Sequence, residues 1–242
     1  MTGGADLAKA VRAALERAPE VNLHEAEVRV QAAGDLVTLE GEVPDISAKR
    51  RAVRVARAVA GVGDVLDRLR VRPATRMTDP ELADHLRDAL LAEPALAGVN
   101  LTVSDPRDHA PQVVRAVDRG AAGEIIARVD QGVVTLAGVV RSLSHRRLAG
   151  ALAWWLPGTR DVINLLLVDP PEEDNDGEIV DALRLILETD RLVDASAIHV
   201  ESHDRVVRLT GSVPSAEQAR LAEYDAWYTD GVRDVINELV AP

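Results

Sequence analysis

A chain of 242 residues has room for one large domain or several small ones, and without cysteine it holds no disulfide framework and no thiolate metal or redox site. Its net charge of −12 argues against general nucleic-acid binding, which draws on phosphate neutralisation by a basic surface. No run approaches the ~20 apolar residues of a membrane-spanning helix, so no transmembrane segment is expected. The start, Met1-Thr2-Gly3-Gly4-Ala5-Asp6, also lacks the basic and apolar regions of a signal peptide, and a cytoplasmic location is the expectation from that alone.

In chain order, Asp6 is the expected N-cap of a helix whose inward face is Leu7, Val11, Ala14, Leu15 and Ala18, and Pro19 ends it. The alternation Ala26, Val28, Val30 predicts a strand, Ala33-Gly34-Asp35 a hairpin turn, and Val37 to Gly41 the returning strand. Pro44 suits the first turn of a helix running to Ala60, with Ala52, Val55, Ala56 and Val59 inward. Gly61 closes that helix, and Val65 to Val71 is the last strand. The order predicts an α+β sandwich, αββαβ, with two helices packed on one face of a three-stranded mixed sheet.

Arg72 to Thr78 is a short linker, and Asp79-Pro80 is expected to cap the next helix, which carries Leu82, Leu86, Ala89 and Leu90. A strand begins at Leu101 to Val103. The expected hairpin is then postponed by an insert from Ser104 to about Glu124, in which Pro111 to Val117 is predicted as a short helix and Gly120 to Gly123 as loop. Inserts of this length are functional or disordered. The pattern returns at Ile125, with a strand Val134 to Gly138, a helix from about Ser142 to Leu156 and a strand Val162 to Val168. Asp169-Pro170-Pro171-Glu172-Glu173-Asp174-Asn175-Asp176-Gly177 marks the clearest boundary. Beyond it the pattern repeats: a helical face of Ile179, Leu183, Ile186 and Leu187, strands Ile198 to Glu201 and Arg205 to Gly211, a helix from about Pro214 to Thr229, and a strand Asp234 to Val240.

Three copies stand in matching register. Val37-Thr38-Leu39-Glu40-Gly41, Val134-Thr135-Leu136-Ala137-Gly138 and Val207-Arg208-Leu209-Thr210-Gly211 each run into a second glycine (Gly61, Gly158, Gly231), followed by Asp64-Val65-Leu66, Asp161-Val162-Ile163 and Asp234-Val235-Ile236. The expected modules are 1–73, 78–169 with an insertion at about 104–124, and 177–242. These motifs resemble the BON domain, and all three copies fit, although the middle one has Thr159 where its siblings have Val62 and Val232. The resemblance implies a non-enzymatic module that attaches to phospholipid surfaces or envelope proteins, often periplasmic and connected with stress; some cytoplasmic members are linked to potassium.

The residues carry little sign of catalysis. No phosphate loop, zinc helix or nucleophile elbow is present, and no cofactor is expected. His199, Glu201, His203 and Asp204 surround a strand and its turn, where alternation of faces argues against a shared metal. Ser142, Ser144 and His145 open a helix, where capping explains the serines. Two surface features remain. Arg50, Arg54 and Arg57 form a stripe opposite Ala52 and Ala56, flanked by Lys49 and Arg51; it is either a contact for anionic headgroups or a solvated face paired with carboxylates. Trp154-Trp155 and Trp227-Tyr228 fall outside their modules' own cores. Either a neighbouring module covers them, or a membrane interface or partner protein does. Residues 1–76, 77–169 and 170–242 carry about +2, −3 and −11, so membrane contact is expected on the first two modules. Homo-oligomerisation stays open.

Overall fold

The computed structural model describes residues 3–18, 27–104, 107, 110–117 and 120–242. Pro19 and Ala26, read above as a helix stop and a strand residue, lie outside these, as does Asp105-Pro106 of the insert. The chain divides into two compact units, Met1–Arg72 and Pro73–Pro242.

Unit one is α1 (Gly3–Arg17), β1 (Glu27–Ala33), β2 (Leu36–Val43), α2 (Ile46–Arg57) and β3 (Asp64–Val71). β2 is central, antiparallel to β1 and parallel to β3. Val11 and Leu15 of α1 and Ala52 and Ala56 of α2 bury against Val37, Leu39 and Leu69, so both helices cover one face of the sheet. Asp6 does not cap α1: the helix begins at Gly3 and Asp6 sits in its first turn, where its charge still favours the N-terminal dipole. α2 is shorter than its apolar pattern predicts. Asp45 caps it by accepting from the Ala48 amide at 2.8 Å, and Ala58 ends it.

Unit two holds the other two modules. The middle one comprises α3 (Asp79–Ala92), a 3-10 turn Pro94–Leu96, β4 (Asn100–Ser104), β5 (Pro111–Arg115), β6 (Glu124–Asp130), β7 (Val133–Val140), α4 (Leu143–Trp154) and β8 (Asp161–Val168). The last comprises α5 (Asp176–Thr189), a 3-10 turn Ala195–Ala197, β9 (Ile198–His203), β10 (Val206–Ser212), α6 (Ala216–Tyr228) and β11 (Asp234–Val240). Thr78, not Asp79, caps α3 in a capping box with Glu81. Asp79 instead accepts from the amides of Gln131 and Gly132, both at 2.8 Å, bracing the β6–β7 turn. Asp176 does the same for Asp204 and Arg205 in the last module.

The middle sheet has five strands in the order β5-β4-β6-β7-β8, not three. Two extra strands come from the insert and the strand before it. Pro111 to Val117 is not helical: its first five residues form β5, antiparallel to β4. Val113 and Val114 favour extended backbone, and β4 supplies hydrogen-bond partners to a segment too short to hold a helix alone.

The signature motif now has a physical reading. Gly41, Gly138 and Gly211 sit in β2, β7 and β10 at φ of 140°, 121° and 115°. A Cβ at Gly138 would strike the carbonyl of Glu124, and one at Gly211 that of Ala197, so only glycine fits. The Asp-Val pairs and the Asp or Asn three residues after each Asp guard the edge strands. The amides of Val65, Val162 and Val235 donate to Asp64, Asp161 and Asp234, while those of Leu69, Leu166 and Leu239 donate to Asp67, Asn164 and Asn237. These side chains occupy edge amides that could otherwise template another strand.

Candidate functional site

The second helix of each module begins from an equivalent cap, Asp45, Ser142 or Ser215. Five residues on stand Arg50, Arg147 and Arg220, and seven beyond those Arg57, Trp154 and Trp227. One helical face thus carries three different surfaces.

On α4 that face is a seam between the middle and last modules. Arg147, whose side chain is 2% exposed, donates through Nε to the Asp230 carbonyl at 2.8 Å, through Nη1 to the Glu178 carbonyl at 3.1 Å, and through Nη2 to Asp174 at 2.6 Å. Arg205 holds the other oxygen of Asp174 at 3.1 Å, and Arg146 pairs with Asp230 at 2.8 Å. Burial pushes Asp174 up, but hydrogen bonds and charge from Arg147 and Arg205 outweigh it and hold the carboxyl below its ordinary range. The acidic linker is therefore a clasp. Glu172 also takes part, accepting from the Leu143 amide.

The aromatic residues lie along the same seam. Trp154 stacks on Tyr228 with centroids 5.4 Å apart and planes 12° from parallel. Trp155 donates from Nε1 to Asp225 at 2.7 Å, and Trp227 is buried. Asp225 is buried too. Its second oxygen meets no donor, and the neighbouring Asp190 carboxyl is a partner only when one of the two carries a proton. Burial, and secondarily the charge of Asp190, pushes Asp225 well above the ordinary carboxylate range against the pull of Trp155.

On α2 the face is basic. Arg57 is exposed, while Arg50, Arg51 and Arg54 are half-buried. Lys49 does not belong with them. It is seven residues before Ala56 and so on the same inward face, where its ammonium donates to the Leu69 carbonyl at 2.6 Å and pairs with Asp67 at 3.0 Å. Siblings make this tie with neutral groups: Asn164 donates to the Arg146 carbonyl and Asn237 to that of Ala219. Lys49 is therefore a structural residue that joins helix to sheet.

His199, Glu201 and His203 share the outward face of β9, so alternation of faces does not separate them. No group of three His, Asp or Glu side chains placed to hold a metal occurs among the described residues. Ser142 caps α4 and also bonds His145. Sequence reasoning missed Arg147, Asp174 and Asp225; the available signal was an arginine leading into the apolar run Leu148 to Trp154.

A family model described as the BON domain matches residues 4–73, 112–170 and 175–241. The chain belongs to the BON domain family. The middle match begins within β5, leaving α3 and β4 outside it. This BON chain is 33% identical to osmotically-inducible protein Y of Escherichia coli strain K12 over 122 residues, 48% of its own length and 61% of that protein's, so it spans less than two thirds of the relative. A structure of CdsD, a structural protein of the type III secretion system of Chlamydia trachomatis, aligns over 98% of this chain and 92% of its own at 16% identity and a TM-score of 0.25. A second, of the CdsD C-terminal domain, covers 98% of both chains at 16% identity and a TM-score of 0.24. Scores this low bear on neither fold nor function.

Proposed function

We propose that this BON chain is a non-enzymatic, stress-related binding protein that docks at anionic phospholipid surfaces through α2 of its first module. The observation that carries this reading is the sibling relation of the helix faces. The face that α4 uses to grip a carboxylate and two carbonyls through Arg147 is the face on which α2 carries Arg50, Arg54 and Arg57. Among the described residues neither Arg50 nor Arg57 makes an ion pair. The near-neutral balance of this module, against about −11 in the last, supports placing the contact here. The similarity to an osmotically inducible protein supports the stress connection. Each arginine near an anionic surface contributes about 1 kcal/mol, so three account for roughly a hundredfold in binding.

The test is co-sedimentation with neutral and anionic vesicles at low and moderate salt. Binding to anionic vesicles that salt weakens, and that Arg50→Glu, Arg54→Glu and Arg57→Glu together abolish, is expected; vesicle binding indifferent to the triple change sinks the reading. A second reading has its own observation. Trp154 and Trp227 are buried, which supports a soluble scaffold acting through protein contacts. Failure to bind either vesicle type selects it.

A further inference from the structure

The five-stranded sheet leaves one face bare. Helices cover the side of Leu136 and Leu166; on the other, Val113, Thr102, Ile126, Ala137 and Leu165 stand in register across all five strands. Val113, Leu165 and the adjoining Leu167 are 70%, 58% and 67% exposed. The sibling modules are more polar on this face, although β11 keeps Val240, 66% exposed, where β8 has Leu167. Where β8 has Leu165, β3 has Arg68 and β11 has Glu238, the latter paired with Arg208 at 2.6 Å. Five strands ~4.8 Å apart and about seven residues long present on the order of 500 Å² in projection. The accessible area is larger than the projection and approaches the ~800 Å² per partner of a standard interface.

The charges on this face are self-complementary. β6, the central strand, presents Glu124, Ile126, Arg128 and Asp130 outward, with the opposite charges of Glu124 and Arg128 on either side of Ile126. We propose that this face pairs with the same face of a second copy of the chain, about a two-fold axis that lies in the interface and crosses the strands at Ile126. That operation turns β6 end for end. Glu124 of each copy then meets Arg128 of the other, and the leucines of β8 lie over the β8 of the partner. A two-fold along the strands would instead place Glu124 on Glu124. Stacked sheets cross at about −30° and ~10 Å apart, so the match is strand on strand rather than atom on atom. Pairing through the edge of β8 is disfavoured, because Asp161 and Asn164 already occupy its amides. The contact does not involve α2, so it stands or falls apart from vesicle binding.

Sedimentation velocity of the full chain over a wide concentration range tests it. The wild type is expected to shift from one chain mass towards two. Leu165→Glu installs the residue the last module already carries there, so its melting curve is expected to stay unchanged while dimerisation weakens by about a hundredfold or more. Glu124→Arg is expected to weaken it about tenfold, and adding Arg128→Glu to restore it. A wild type that stays monomeric at every concentration, a dimer indifferent to Leu165→Glu, or a double reversal that fails to restore association each overturns the proposal.

Discussion

Replacing Arg147 by alanine is expected to cost unit two about 3 kcal/mol. Removing one partner of a buried ion pair ordinarily costs about 3–5 kcal/mol, because the other charge is left uncompensated. Here Asp174 is 35% exposed and keeps Arg205 at 3.1 Å, which brings the loss to the lower end. The stranded carbonyls of Asp230 and Glu178 act the other way unless water enters the space. The assay is urea unfolding followed by tryptophan emission. All three tryptophans lie in unit two, so the signal reports that body alone. The pH dependence checks the cause. The Asp174 carboxyl lies below its unfolded value of about 3.9, so its contribution is present above that pH and lost as pH falls through the folded value. This acid limb should shrink in the Arg147→Ala variant. A loss below about 1 kcal/mol, or one unchanged when Asp174→Asn is made as well, refutes the reasoning.

Three further outcomes are expected. Asp225 has a raised carboxyl, so its stabilising contribution is complete below the unfolded value and lost as pH rises through the folded one; Asp225→Asn, which keeps an acceptor for Trp155, should raise the free energy of urea unfolding of unit two at neutral pH by about 1–2 kcal/mol and gain nothing below about pH 4. Gly138→Ala drives a Cβ at positive φ into the Glu124 carbonyl, and thermal unfolding should show a loss of at least about 2 kcal/mol. Lys49→Ala strips the Leu69 carbonyl and Asp67 of their ammonium, so it should lower the melting temperature of unit one and leave vesicle affinity of the folded protein within about twofold.

Most of the fold was legible because its devices repeat. The strand ends at Gly41, Gly138 and Gly211 demand a backbone only glycine adopts, and the edge guards at Asp67, Asn164 and Asn237 recur at one spacing. β5 was not legible, since a five-residue segment with only Val113 and Val114 as β-branched residues carries too few periods to tell helix from strand, and its pairing with β4 is a tertiary fact. Lys49 was misplaced by charge alone; counting two turns to Ala56 puts it inward. Arg147 and Asp174 stand 27 residues apart, on a helix and in a linker. Their meeting depends on how the last module docks on α4, which no local pattern encodes.

The most direct measurement is hydrogen exchange of the full chain with and without anionic vesicles. The account predicts slower exchange over α2, centred on Arg50 to Arg57, and unchanged exchange along α4 and α6, whose aromatic residues already face one another. Protection confined to α4 and α6, or vesicle binding with none at α2, contradicts it.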